Sequence, residues 1–186
     1  MKQVFAQRRI CIKAAFCAVF IAFCDRAISA VKMGESMKPE YAFQIRVTGI
    51  LMENDQLLLV RQKVNDQREW SLPGGRLEQG ESLAQGMLRE MKEETGLDTA
   101  MERMLYVCDV ASSGKTVLHI TFLLKRTGGT ITLPTNEFDQ NPIHEVRFFP
   151  VDELRNLGFS EEFVRLIQLG FPQAGNYMGD KTQIGL

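Results

Sequence analysis

Hydrophobic and polar positions change rhythm several times along this chain, and each change predicts an element. Residues 43–52 are rich in β-branched and apolar side chains, Asn54 and Asp55 supply turn residues, and residues 56–62 form a second apolar run. That order predicts a β-hairpin. Residues 63–69 are polar and predict a loop, residues 70–72 a short strand ended by Pro73, and Gly74 and Gly75 a turn with backbone conformations closed to other residues. Across residues 81–95 the period becomes helical: Ala84, Met87, Leu88 and Met91 recur at spacings of three and four and form one stripe suited to lie on a sheet. Gly96 stands where such a helix stops.

Residues 105–110 and 116–124 predict two strands. In the second, Leu118, Ile120, Phe122 and Leu124 share one face and His119 takes the other. A single histidine on a strand is more often structural than catalytic, and His119 is read that way. Residues 127–142, with Gly128, Gly129 and two prolines, predict a long exposed loop. A last strand is expected at residues 146–149 and short helices at 151–156 and 160–169, the second capped by Ser160, while residues 170–186 carry little pattern. Strands interleaved with one strong central helix and terminal helices imply an α/β fold, a sandwich around a mixed sheet.

The first 36 residues are of another kind. Lys2, Arg8, Arg9 and Lys13 precede an apolar run over residues 14–24, and Ala27, Ser29 and Ala30 follow. This outlines a secretion signal, although Ile28 spoils the small-x-small cleavage pattern and the run is short for a bilayer span. A competing reading takes Met37 as the true start, preceded by translated upstream DNA: the codons of Gly34 and Glu35 can spell a purine-rich ribosome-binding sequence. A real helical extension is the third. Each reading divides the chain into an N-terminal extension, residues 1–36, and a functional domain, residues 37–186. No membrane association is expected unless residues 10–24 are a genuine signal.

Length and composition fit one compact domain with a proper core: 186 residues, 45% hydrophobic. With 22 basic and 23 acidic residues the chain lacks the positive field that polyanionic partners require. Double-stranded nucleic acid is therefore not an expected partner, whereas a small phosphorylated ligand is, and a homodimer stays open. Three of the four cysteines fall in the first 24 residues, which leaves Cys108 alone in the domain. It cannot form an internal disulfide there, so Cys108 reads as a plain buried thiol and the domain as built for a reducing, cytoplasmic compartment.

Glu90, Glu93 and Glu94 lie at i, i+3 and i+4 and so share one face of the predicted helix. Three carboxylates facing one point repel unless a cation sits among them, and hard oxygen ligands favour Mg2+ or Mn2+ over zinc. Taken alone, the cluster also reads as an ordinary solvated face with an Arg89–Glu93 ion pair. Its surroundings change that. The stretch GRLEQGESLAQGMLREMKEETGL meets the pattern GX5EX7REUXEEXGU at Gly75, Glu81, Arg89, Glu90, Met91, Glu93, Glu94, Gly96 and Leu97. In this the chain resembles the Nudix (MutT-like) hydrolase family.

The resemblance implies a Nudix-type α/β/α sandwich with a mixed β-sheet and a central catalytic loop-helix. It implies a Mg2+-dependent hydrolase (Mn2+ as an alternative) that cleaves the pyrophosphate linkage of a nucleoside diphosphate derivative, a nucleoside triphosphate or a nucleotide sugar such as ADP-ribose. Glu90, Glu93 and Glu94 would hold the metal with the Gly74 carbonyl, Arg89 would orient the glutamates, and Glu81, Gly75 and Gly96 would support loop and helix. The proton acceptor is expected on a later loop, with Glu137 and Asp139 on its mobile part and Glu145 before the strand at 146; Glu93 is the remaining choice. Substrate contacts lie outside the motif and stay unknown. Ser112 and Lys115 stand where ADP-ribose and dinucleoside polyphosphate enzymes of the family often show proline and tyrosine, so neither subclass is favoured. A non-catalytic, ligand-sensing Nudix-fold domain is the alternative, against which all motif glutamates are present; an isoprenoid diphosphate isomerase would need a cysteine better placed than Cys108.

Overall fold

A computed structural model describes residues 43–112, 115–135 and 141–186. The extension at residues 1–36, Glu137 and Asp139 lie outside the described residues. In chain order the elements are β1 (Phe43–Glu53), β2 (Gln56–Arg61), β3 (Trp70–Ser71), α1 (Leu83–Thr95), β4 (Leu97–Ser112), β5 (Lys115–Gly129), β6 (Glu145–Pro150), a 3-10 turn (Val151–Glu153), α2 (Glu161–Gln168), β7 (Asn176–Asp180) and a second 3-10 turn (Lys181–Ile184). The predicted hairpin is present. Asn54 and Asp55 take φ 50° and 61°, the left-handed pair that suits a two-residue turn, and pair Met52 with Leu57.

The sheet order is β3-β2-β1-β5-β4-β7, with β6 also on β2. It is mixed, because β1 runs parallel to β5 and β7 parallel to β4, while the remaining pairs are antiparallel. Both faces are covered. Met87 and Met91 of α1 pack with Val47, Leu51, Leu58 and Val60 on one face. On the other, Phe163, Val164, Leu166 and Ile167 of α2 pack with Ile50, Leu57 and Leu59. The unbroken apolar run of β2 follows from this, since successive residues enter opposite cores and each is fully buried. The result is the expected α/β/α sandwich, and Cys108 is buried within the α2-side core as a free thiol.

One feature of the sheet positions the motif. Residues 73–77 lie along β1: Val47 N–H donates to the Gly75 carbonyl (2.9 Å), Gly49 N–H to Pro73 (2.9 Å), and Leu77 N–H to Ile45 (3.0 Å). Gly74 sits at φ 138°, and a Cβ there would overlap the Val47 carbonyl, so glycine is required both for conformation and for room.

Several predicted boundaries move. The helix starts at Leu83, not at residue 81: Ser82 caps it, accepting from Gln85 N–H while the Gln85 side chain accepts from Ser82 N–H, which leaves Glu81 in the preceding loop. β4 begins at Leu97 directly after the helix, and β5 extends through Gly129, so residues 127–129 belong to a strand rather than a loop. Register shifts at 98/99, 101/103 and 104/106 interrupt the two-residue alternation of β4, which hid its first half. β6 is not the last strand: β7 follows in the patternless tail, an edge strand exposed along most of its length. Residues 151–156 make only a 3-10 turn, while Ser160 caps α2 as predicted, accepting from Phe163 N–H. Among the described residues no helix is long and apolar enough to cross a membrane.

Gly96 ends α1 at φ 75° with its N–H donating to the Lys92 carbonyl (3.0 Å), and a Cβ there would overlap the Thr132 side chain. Gly80 has a similar φ of 88° in open space. Gly80→Ala is expected to lose about 1–2 kcal/mol for the left-handed backbone alone, and Gly96→Ala clearly more. Urea midpoints of the two variants check this; equal losses would contradict it.

Candidate active site

Arg89 is the hub of the motif. Its Nε and Nη2 donate to the two carboxylate oxygens of Glu81 (2.7 and 3.0 Å), its Nη1 donates to Glu90 (3.0 Å) and Glu93 (2.9 Å), and Nη2 also reaches the Arg76 carbonyl (3.1 Å). Loop and helix are thereby joined by one guanidinium, through the fork geometry that only arginine provides. The hydrogen bond from Arg89, with a second from Glu78 N–H, holds the Glu81 carboxyl down to about 2. Arg89 in turn is raised above its ordinary value, first by Glu81.

Glu90 is 9% exposed and sits against Gly75, where any Cβ would overlap its carboxylate. Burial pushes its carboxyl up, more than Arg89 draws it down. One helical turn on, Glu94 accepts from Gly74 N–H (2.7 Å). Consecutive glycines of the turn thus receive residues i and i+4 of the helix, which is why the loop must come so close. The Glu93 side chain is 58% exposed and held at one oxygen by Arg89. Among the described residues no three acidic, histidine or cysteine side chains already surround one metal-sized point, since these carboxylates are directed to Arg89 and to the Gly74 N–H.

Glu81, Arg89, Glu90, Glu93, Glu94, Gly74 and Gly75 therefore come together at the loop–helix junction, and Gly96 closes the far end of the helix. Glu145 does not join them. It opens β6 opposite Arg61 of β2, with Arg147 at 3.9 Å.

The sheet face opposite α1 holds a feature that sequence reasoning missed. A cavity of about 210 Å³ is lined by residues that include Arg46, Arg68, Gly74, His119 and Lys181. His119, expected to be structural, is held down to about 4 by burial and by the Lys181 and Arg46 charges, and its Nδ1 is buried without a hydrogen-bond partner among the described residues. Arg68 Nε is buried in the same state, with the guanidinium 4.8 Å over the Phe159 ring. Lys181 is lowered, first by burial and then by Arg68 and Arg46. No periodicity marks these positions: Arg68 comes from a polar loop and Lys181 from the patternless tail.

Comparison with known proteins agrees with this geometry. Residues 42–167 match the family model described as the NUDIX domain. The human 8-oxo-dGDP phosphatase NUDT18 is 31% identical over 120 residues, covering 64% of this chain and 36% of the relative. The ADP-ribose pyrophosphatase of Methanocaldococcus jannaschii is 31% identical over 121 residues, covering 63% of this chain and 68% of the relative. The match thus spans little more than a third of the human relative. A solved NUDIX hydrolase from Nitrosomonas europaea superposes with TM-score 0.52 at 27% identity, over 62% of this chain and 77% of that one. With the family model covering well over half of the chain and the loop–helix geometry in place, this protein belongs to the Nudix family.

Proposed function

We propose that this chain is a divalent-cation-dependent pyrophosphohydrolase that cleaves the diphosphate linkage of a nucleoside diphosphate derivative, with Mg2+ as the working ion and Mn2+ as a substitute. The observation that carries the reading is the buried Glu90 carboxylate cradled on Gly75, with Glu93 and Glu94 beside it on α1. The donor set fits a hard cation: three carboxylates, plus the Gly74 carbonyl, which makes no hydrogen bond among the described residues. Such an ion supplies offset of the diphosphate charge and a more acidic water. The chain's own residues do the positioning. Arg89 fixes Glu90 and Glu93 and ties the helix to Glu81, while the Gly74 N–H orients Glu94. Relatives named as an 8-oxo-dGDP phosphatase and an ADP-ribose pyrophosphatase support the nucleoside diphosphate class. A cytoplasmic site of action fits a domain whose described cysteine is a buried free thiol.

Glu93→Gln and Glu94→Gln are each expected to lower turnover of nucleotide substrates by several orders of magnitude while leaving the urea midpoint near wild type, since each removes ligand charge at the surface of the junction. Wild-type turnover in either would refute the assignment.

The proton acceptor is a separate part of the proposal. Carboxylates committed to a cation are weakened as bases, so an acid outside the helix is the better acceptor, and Glu137, Asp139 and Glu145 are the choices, Glu137 first. Glu145 is better suited to a framework role, given its place opposite Arg61. Amide variants of all three, followed across pH at saturating magnesium, separate the roles: the base variant loses rate and the acidic limb of its profile, where the base would be protonated. Three unchanged profiles would return the role to Glu93.

A further inference from the structure

Basic side chains dominate the lining of the cavity behind β1. No aspartate or glutamate side chain lines it, and of its four basic side chains only Lys63 has a carboxylate nearby, Asp66 at 3.6 Å. Arg46, Arg68 and Lys181 have no ion pair among the described residues. Bringing three cations together in a partly desolvated space costs stability unless an anion joins them. Two buried nitrogens there, Arg68 Nε and His119 Nδ1, also lack partners. Buried polar nitrogens in folded proteins nearly always have a partner, so two unpaired ones on residues that line one cavity mark it as unsatisfied.

We propose that the cavity lined by Arg46, Arg68, His119 and Lys181 is a subsite for a terminal phosphoryl group that the substrate carries in addition to the diphosphate cut at α1. This rests on the hydrolase reading above. The three cations Arg46, Arg68 and Lys181 match a dianion with three terminal oxygens better than a carboxylate, which has two oxygens and one charge. The Phe159 ring beneath Arg68 fixes the plane of that guanidinium. The position fits as well. Gly74 lines the cavity from the motif turn, and Arg46 lines both it and a second hollow bounded by Glu90. The chain should therefore prefer nucleotides with a free phosphate end over diphosphates capped by a neutral sugar. That phosphate could terminate a triphosphate or sit on a ribose.

Two measurements test this. In EDTA, where the carboxylate junction holds no metal, inorganic phosphate is expected to bind the full chain saturably by calorimetry and to raise its Tm. Lys181→Gln and Arg68→Gln should each weaken that binding roughly tenfold or more, the loss of one charge-assisted hydrogen bond. Lys181→Gln should also raise the Tm of the unliganded protein by relieving repulsion, which a merely structural lysine would not do. With magnesium, the ratio of kcat/KM for a nucleoside triphosphate to that for ADP-ribose should fall about tenfold in both variants. ADP-ribose 2′-phosphate distinguishes the sources: the substrate whose preference over ADP-ribose collapses is the one whose phosphate enters. No phosphate binding, or binding equal in wild type and both variants, overturns the subsite. Phosphate binding lost in the variants, with no hydrolysis by wild type in magnesium, would uphold the subsite and reject the hydrolase reading instead.

Discussion

Arg89 is the contact on which the loop–helix junction depends. One cation is shared among Glu81, Glu90 and Glu93, so the cluster keeps an excess of negative charge even with Glu94 left aside. At a surface an ion pair contributes at most about 1 kcal/mol, but Arg89 and Glu81 are only 22% and 18% exposed and form a two-bonded fork. Geometry is the larger contribution. Without Arg89 the loop at residues 76–81 would lose both its tie through Glu81 and its tie through the Arg76 carbonyl. A lysine would keep the charge and lose the fork.

That junction in turn relies on a sheet buried on both sides. Because α1 packs Met87 and Met91 onto Val47 and Leu51, the height of the helix above β1 is set by close-packed side chains. Pro73 and Gly75 hydrogen-bond to the same strand. Helix and loop therefore share one reference, β1, and the carboxylates meet the glycines only at that spacing. Enlarging Gly75 would act directly on Glu90, and enlarging Gly49, whose Cβ would press on Leu124, Met87 and Met91, would act through the core.

Much of this was legible in the amino-acid order because the physics is local. The Asn54–Asp55 turn, the stop at Gly96 and the cap at Ser160 each depend on a few neighbouring residues and stand as read, whereas of the stripe Ala84, Met87, Leu88 and Met91 only Met87 and Met91 enter the buried core. The spacing of Glu90, Glu93 and Glu94 on one helix face is local too, but alone it also fits a solvated face, and the match to GX5EX7REUXEEXGU is what singles the cluster out. Failures came where partners are distant. β4 conceals its length because its bulges answer to β5, and β7 is a strand only because β4 offers an edge. Ser82 and Gln85 carry a legible capping box that the apolar stripe overshadowed. The cationic cavity gathers β1, a loop, β5 and the tail, residues 46 to 181, and no window along the chain contains it. The charges around His119 come from two other segments, which its own strand does not show.

The central claim is that the α1 carboxylates form a site for a hard divalent cation, and direct metal binding tests it more closely than turnover does. Mn2+ added to the wild-type chain and followed by electron paramagnetic resonance should disappear from the free-ion signal saturably and be displaced by Mg2+. In a Glu93→Gln/Glu94→Gln double variant of unchanged stability, that binding should weaken by at least about a hundredfold, as expected when two anionic ligands are removed. Equal Mn2+ binding by the wild type and the double variant would contradict the claim.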